Sequence, residues 1–263
     1  MFAPAPMLTH ALLRRPGENL VEGLSQAGEG APYPGLALEQ HQRYCEALAD
    51  CGLSLTVLPA DPRHPDGCFV EDTALVTARG AIVARPGAAS RRGEVDVIAS
   101  ALRGLFDDAV PRIRAPGTVD GGDVCEADGH FLIGLSARTN EAGAGQLAGH
   151  LLELGYRADI VDIRASRRLL HLKSGIAFLG DGRMLATSDL PPTPALAAYE
   201  IVEVPVDERY AANALRMNDR VLVAAGYPKT RAAVEALGFD VIPLDMSEFR
   251  KLDGGLSCLS LRW

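Results

Sequence analysis

The chain of 263 residues contains no uncharged apolar run approaching the roughly 18 residues that would carry a helix across a bilayer. Its N-terminus, MFAPAPMLTHALLRRPGENL, places the arginine pair after a short apolar stretch, so the basic-then-apolar order of a secretory signal is missing and export is not expected. The five cysteines, Cys45, Cys51, Cys68, Cys125 and Cys258, form no CxxC pair and no Cys/His spacing of the structural zinc type; with an odd count, reduced thiols in a cytoplasmic setting are expected. An excess of basic charge is also absent. A formal charge of −8 disfavours nucleic acid and anionic membrane as partners and mildly favours a small cationic ligand.

What is present is the makeup of a packed soluble protein, with 48% hydrophobic and 23% charged residues. The length fits one α/β domain over 1–263. One unit recurs along it: strand, short polar turn, strand, helical stretch and closing strand. The third copy is the clearest. Gly122 to Glu126, the turn AlaAspGly at 127–129 and HisPheLeuIleGly read as a hairpin, followed by a helix from an Asn140 N-cap to a Gly155 stop and a strand in TyrArgAlaAspIleValAspIle. The second copy turns at 78–80, with a helix from Arg92 to Phe106 and a closing strand near Pro111 to Ala115. The fourth turns at 180–182; the fifth pairs AlaLeuArgMet with ArgValLeuValAla, then has a helix from Lys229 to Leu237 and the strand PheAspValIlePro. ThrHisAlaLeuLeuArg, a helix over Leu38 to Cys51 and LeuSerLeuThrValLeuPro make the first. Plain strand–helix alternation would give a doubly wound parallel sheet. The hairpins favour instead five units around a common axis, because none can bury its apolar face alone.

Several residues could carry chemistry. Cys258 follows AspGlyGlyLeuSer, where paired glycines permit close backbone approach and an exposed thiol; by itself a cysteine on a terminal strand is more commonly core packing, as the other four cysteines read. His171, in LeuLeuHisLeuLysSerGly, has apolar neighbours and would be an ordinary buried histidine unless a nucleophile and an orienting carboxylate join it. Asp120 or Asp123, in ThrValAspGlyGlyAspVal, can supply that carboxylate or merely form a turn. Asp66, Glu71 and Asp72 surround an apolar triplet at a strand mouth, where they either form a solvated turn or, if buried, require arginine partners or a bound cation. Arg91, Arg92 and Arg138 are candidate carboxylate binders, although arginines in such local sequence are more commonly helix-start or surface residues. The small, Gly-rich segment 25–33 after Leu24 reads as a mobile loop that can close over a ligand, or as a simple connection.

Six motifs in order, CysPheValGluAsp, ArgProGlyAlaAlaSerArgArgGlyGlu, ThrValAspGlyGlyAsp, GlyLeuSerAlaArgThrAsn, LeuHisLeuLysSerGly and LysLeuAspGlyGlyLeuSerCysLeuSer, resemble those of the dimethylarginine dimethylaminohydrolases of the guanidine-modifying superfamily over nearly the whole chain. The resemblance implies a five-bladed α/β propeller and hydrolysis of Nω-methylated L-arginine to L-citrulline and a methylamine, without metal or organic cofactor. Carried over motif by motif, it makes Cys258 the nucleophile, His171 the general acid/base and Asp120 its orienting carboxylate. Family members can carry Glu at that last position, which keeps Asp123 as a second candidate. It assigns substrate binding to Asp66, Glu71 and Asp72, to Arg91 and Arg138 around the amino-acid end, and to backbone at Leu24 and Leu252. Two other readings stay open, an enzyme acting on unmethylated arginine or another guanidine, and a silent methylarginine-binding module. The sequence also leaves homodimer formation open.

Overall fold

The fold is described from a computed structural model, for residues 7–103, 105–106 and 110–263. Strand β1 (His10–Arg14) pairs in parallel with β2 (Ser54–Leu58) across helix α1 (Pro34–Asp50), and on its other side takes the C-terminal strand β14 (Ser260–Arg262) antiparallel, Leu12 opposite Leu261. The two chain ends thus complete the first sheet. The second is the hairpin β3 (Ala74–Thr77) and β4 (Gly80–Val83), followed by α2 (Val95–Arg103). The third contains β5 (Val124–Ala127), β6 (His130–Leu135), α3 (Glu141–Glu153) and β7 (Arg157–Asp162). The fourth has β8 (Ile176–Gly180), β9 (Arg183–Thr187) and β10 (Glu200–Val204). The fifth has β11 (Leu215–Met217), β12 (Arg220–Ala224), α4 (Pro228–Ala236) and β13 (Asp240–Leu244).

Local chemistry explains the hairpins. Asp128 and Gly129, and Asp181 and Gly182, all have positive φ, the backbone that a right-twisted two-residue turn demands. Asn140 caps α3, its Oδ1 accepting from Gly143 N at 2.8 Å, and Gly155 stops it at φ +79°. Two units depart from the repeat. The strand expected at 111–115 is reduced to one bridge, Val83 to Arg112, because Pro111 and Pro116 cannot donate to a ladder. Between β9 and β10 the prolines at 191, 192 and 194 leave only the 3-10 turn Pro194–Leu196 where other units have a helix. The second-unit helix begins at Val95 rather than Arg92, after a 3-10 turn over Ala89–Glu94.

The inner strands β3, β5, β8, β11 and β14 surround one axial cavity of about 710 Å³, walled by Ala74, Val124, Ala177, Leu215, Met217 and Leu261. This is the common axis expected from the repeat, and the architecture is that of a five-bladed α/β propeller. A 3-10 turn leads into each of these strands: Val70–Thr73, Gly121–Asp123, Leu172–Ser174, Val206–Ala212 and Ser257–Leu259. Five equivalent turns therefore gather at one end of the axis. Helices lie outside, with α1 packed against β2 and β13 and α3 against β6 and β7. Among the described residues no helix is long and apolar enough to cross a membrane.

Candidate active site

The 3-10 turns, with Asp120 and His171 at the N-caps of two of them, carry most of the titratable residues singled out above. A second cavity, about 430 Å³, is lined by Cys258, His171, Gly122, Glu71, Lys173 and Tyr210 among others. Cys258 and His171, 87 residues apart in sequence (258 minus 171), meet here because their turns precede different blades.

His171 is 8% exposed, and its Nε2 lies 3.1 Å from Asp120 Oδ2, whose other oxygen accepts from Gly87 N at 2.8 Å. Asp123 points elsewhere: it accepts from Ser136 Oγ, Thr139 Oγ1 and Leu172 N at 2.6, 2.7 and 2.9 Å. Of the two candidates, then, Asp120 touches the imidazole and Asp123 fixes the backbone of the histidine turn. Burial would lower the His171 pKa, but Asp72, the Asp120 hydrogen bond and Asp123 outweigh it and hold it near 9. A Cβ at position 122 would come within 2.7 Å of His171 Nδ1, so only glycine leaves that ring edge clear.

The Cys258 thiol is pushed up to about 12 by burial, with Glu71 and Asp72 adding repulsion against a thiolate. Among the described residues its one hydrogen bond is a long one, from Gly255 N at 3.4 Å. Without a compensating cation the sulfur stays protonated.

The three acids have different partners. Asp72 accepts from Arg91 Nη1 at 2.5 Å and Gly122 N at 2.8 Å; although burial opposes ionisation, the positive charges of His171 and Arg91 hold its carboxyl near 2. Arg91 is 5% exposed and is fully used by Asp72, Glu94 and the Phe69 carbonyl. Glu71 accepts from Lys173 Nζ (2.6 Å), Arg262 Nη2 (3.1 Å) and Ser257 Oγ (2.7 Å). Among the described residues the Asp66 carboxylate has only the Leu24 amide as partner, at 3.0 Å, and burial raises its pKa against the opposing fields of Arg91 and Arg138. Among the described residues the Arg138 guanidinium has no hydrogen-bond partner in the chain.

Leu24, Asp66 and Leu252 converge where a Cβ on Gly23 would lie 2.9 Å from Leu252 Cδ1 and 3.1 Å from Asp66 Oδ1. With Asp72, Arg91 and Arg138 they stand outside the lining of the cavity that holds Cys258 and His171. Segment 25–33, whose Ala27 and Glu29 line the cavity, is tied to residues 250–253. Ser25 Oγ donates to the Lys251 carbonyl at 2.6 Å, Asp253 accepts from Gln26 N, and Arg250 bonds Glu29 at 2.8 Å.

Asn213, Tyr210, Tyr227 and Arg250 line the cavity without any sequence signal that singled them out. Arg250 donates to Tyr227 Oη, and Tyr210 Oη donates to the Gly254 carbonyl beside the cysteine turn. Asp72, Asp120 and His171 offer ligand atoms within 4.8 Å of one another, a spacing that could hold a metal ion, but Arg91, Gly122, Gly87 and the His171–Asp120 contact already engage both carboxylates and His171 Nε2.

No family model matches the chain. Curated relatives do. The N(G),N(G)-dimethylarginine dimethylaminohydrolase of Pseudomonas aeruginosa is 44% identical over 257 residues, covering 98% of this chain and all of that protein. The protein of that name from Streptomyces coelicolor is 39% identical over 255 residues, covering 96% of each. A crystal structure of the Pseudomonas enzyme, a cysteine-to-serine mutant complexed with citrulline, superposes with a TM-score of 0.95 over 98% of this chain and all of that one. An adduct of the dimethylarginine dimethylaminohydrolase with S-methyl-L-thiocitrulline superposes at 0.94 over the same shares. The N-terminal domain of ArgZ, an arginine dihydrolase, shares the fold at 17% identity, with a TM-score of 0.87.

Proposed function

The chain belongs to the dimethylarginine dimethylaminohydrolase family, and from that premise we propose that it hydrolyses Nω-methylated L-arginine to L-citrulline and a methylamine or dimethylamine, as one catalytic domain spanning 1–263. The observation that carries this reading is the meeting of Cys258 with an Asp120-bound His171 in one acid-rich cavity.

The charges give the order of events. A guanidinium entering beside Cys258 offsets Glu71 and Asp72, and only then does the thiol lose its proton, which passes to solvent water because His171 is already protonated. The thiolate attacks the guanidinium carbon, and His171, protonated below about pH 9, donates its proton to the departing dimethylamine. The carbon–nitrogen bond breaks and a thiouronium cation remains on Cys258. His171, now neutral, takes a proton from water as the hydroxide adds to that carbon. Expulsion of the sulfur and loss of the hydroxyl proton release citrulline and restore the thiol. Asp120 keeps the imidazole oriented and stabilises its charged form.

Asp66, the least compensated of the three acids, suits the substrate ammonium, and the unengaged Arg138 suits its carboxylate. Asp72 supplies the negative field, while Arg91 acts through Asp72 and Glu71 through the floor of the cavity. Leu24 and Leu252 frame the entrance, and segment 25–33 closes it to exclude water. The partner is thus one small cation. Five free cysteines suit a reducing, cytoplasmic compartment.

Citrulline release from asymmetric dimethylarginine, monomethylarginine and arginine, measured in parallel for the protein and Cys258→Ser, tests the assignment. Turnover of the methylated substrates, lost in the variant, is expected. Activity confined to arginine would move the chain to the deiminases, and binding without turnover would make it a binding module.

A further inference from the structure

Cys258 makes no strong contact of its own, so its neighbours must hold it. Four residues form a closed hydrogen-bonded circuit beside it, in which Lys173 takes part through both its ammonium and its backbone carbonyl. Asn213 Nδ2 donates to the Lys173 carbonyl at 2.9 Å and to Ser257 Oγ at 3.0 Å; Ser257 Oγ donates to Glu71 Oε2 at 2.7 Å; and Lys173 Nζ donates to Glu71 Oε1 at 2.6 Å. Asn213 Oδ1 also accepts the Ser257 amide at 2.9 Å and would meet any Cβ on Gly255 at 2.5 Å. Both hydrogens of its amide are used, and the side chain is buried.

Three of the four members adjoin a residue of the proposed chemistry: Ser257 precedes Cys258, Lys173 follows His171 by one turn residue, and Glu71 precedes Asp72. Glu71, Lys173 and Ser257 hold the same offset ahead of their inner strands, which begin at Ala74, Ile176 and Ser260. Asn213, from a fourth blade, is the only member with no residue of the proposed chemistry beside it. We propose that Asn213 is a positioning residue, which with Ser257 locks the cysteine turn onto the histidine turn and so sets the sulfur against the guanidinium carbon. This rests on the reading of Cys258 as nucleophile.

The test uses the full chain as Asn213→Ala, Ser257→Ala and the double variant. Two rates are read on each: citrulline release from asymmetric dimethylarginine, and covalent labelling of Cys258 by chloroacetamidine followed as a mass adduct. Each single variant should lower kcat about 100-fold with KM within about threefold, because misplacement near 1 Å costs that much in rate. Labelling should slow in parallel. The double variant should be no worse than the poorer single, since both open one circuit.

Losses that multiply, a raised KM at unchanged kcat, or labelling at the parent rate would overturn the proposal. Thermal unfolding is followed on the same samples. Ser257→Ala deletes one oxygen only, so a folded Ser257→Ala with parent kcat and labelling overturns it even where Asn213→Ala fails to fold. Labelling does not require methylarginine turnover. A parent protein that labels but releases no citrulline would therefore sink the substrate assignment, while the labelling rates alone would still decide the role of Asn213.

Discussion

The axial cavity and the cavity that holds Cys258 and His171 share Glu71, Lys173, Asn213 and Ser257 as a wall, and on its two sides the chemistry differs. The axial cavity is the larger, 710 against 430 Å³, and is walled mainly by strand side chains. Its thiols, Cys51 and Cys125, are pushed up chiefly by burial, Cys125 to about 11, and among the described residues no imidazole lines it. Glu126 faces it with its carboxyl raised to about 7, by burial and by Asp128. Across the wall the 3-10 turns place a thiol, an imidazolium and buried carboxylates together. Strands build the volume and turns build the reactivity, because a turn can aim several polar groups at one point whereas a strand alternates its side chains across a sheet.

The strongest challenge to that contrast is to exchange thiols. Cys258→Ser should lower citrulline release at least about 1000-fold, since a hydroxyl is a far weaker nucleophile here, whereas Cys51→Ser in the axial cavity should leave kcat within about twofold. Equal losses would erase the distinction. Asp120→Asn should cost about 100- to 10,000-fold in kcat by leaving the imidazole without its carboxylate; a loss confined to KM would remove Asp120 from the chemistry.

The wall itself is open to attack. Glu71→Gln leaves Lys173 and Arg262 facing a neutral amide in a mostly buried site, and should reduce unfolding free energy by about 3 kcal/mol in chemical denaturation. An unchanged midpoint would show that the cavities do not depend on this ion cluster. Proton linkage sharpens the same comparison. The folded His171 pKa lies near 9, above its ordinary 6.5, so its stabilisation is complete below pH 6.5 and is lost as pH rises through 9. The melting temperature should drop over that interval, and less so in His171→Asn. The smallest effect belongs to the mouth: Arg250→Gln breaks an exposed pair with Glu29 and should raise KM a few-fold, with at most about 1 kcal/mol of stability lost.

The sequence disclosed the blades because each is local. AspGly turns, an Asn cap and apolar alternation act within a dozen or so residues, and helices predicted at 38–51 and 229–237 are found at Pro34–Asp50 and Pro228–Ala236. Where prolines interrupted the pattern, at 111–116 and 191–194, the element shrank. Cys258, His171 and Asp120 could be named from their motifs and from family resemblance. No local signal could show that Asp120 rather than Asp123 reaches the imidazole, since the two acids are three residues apart and the answer depends on Gly87, Ser136 and Thr139 from other segments.

By itself, then, the amino-acid sequence determined the repeating unit, the negative charge that suits a cationic ligand and the set of reactive residue types. The tertiary structure alone decided which acids are neutralised from within the chain, why the thiol is protonated at rest, and that Asn213 belongs to the site. The physical reason is common to all three. Desolvation and pairing depend on which turns meet around the axis, and those meetings join positions such as Glu71 and Ser257 across most of the chain.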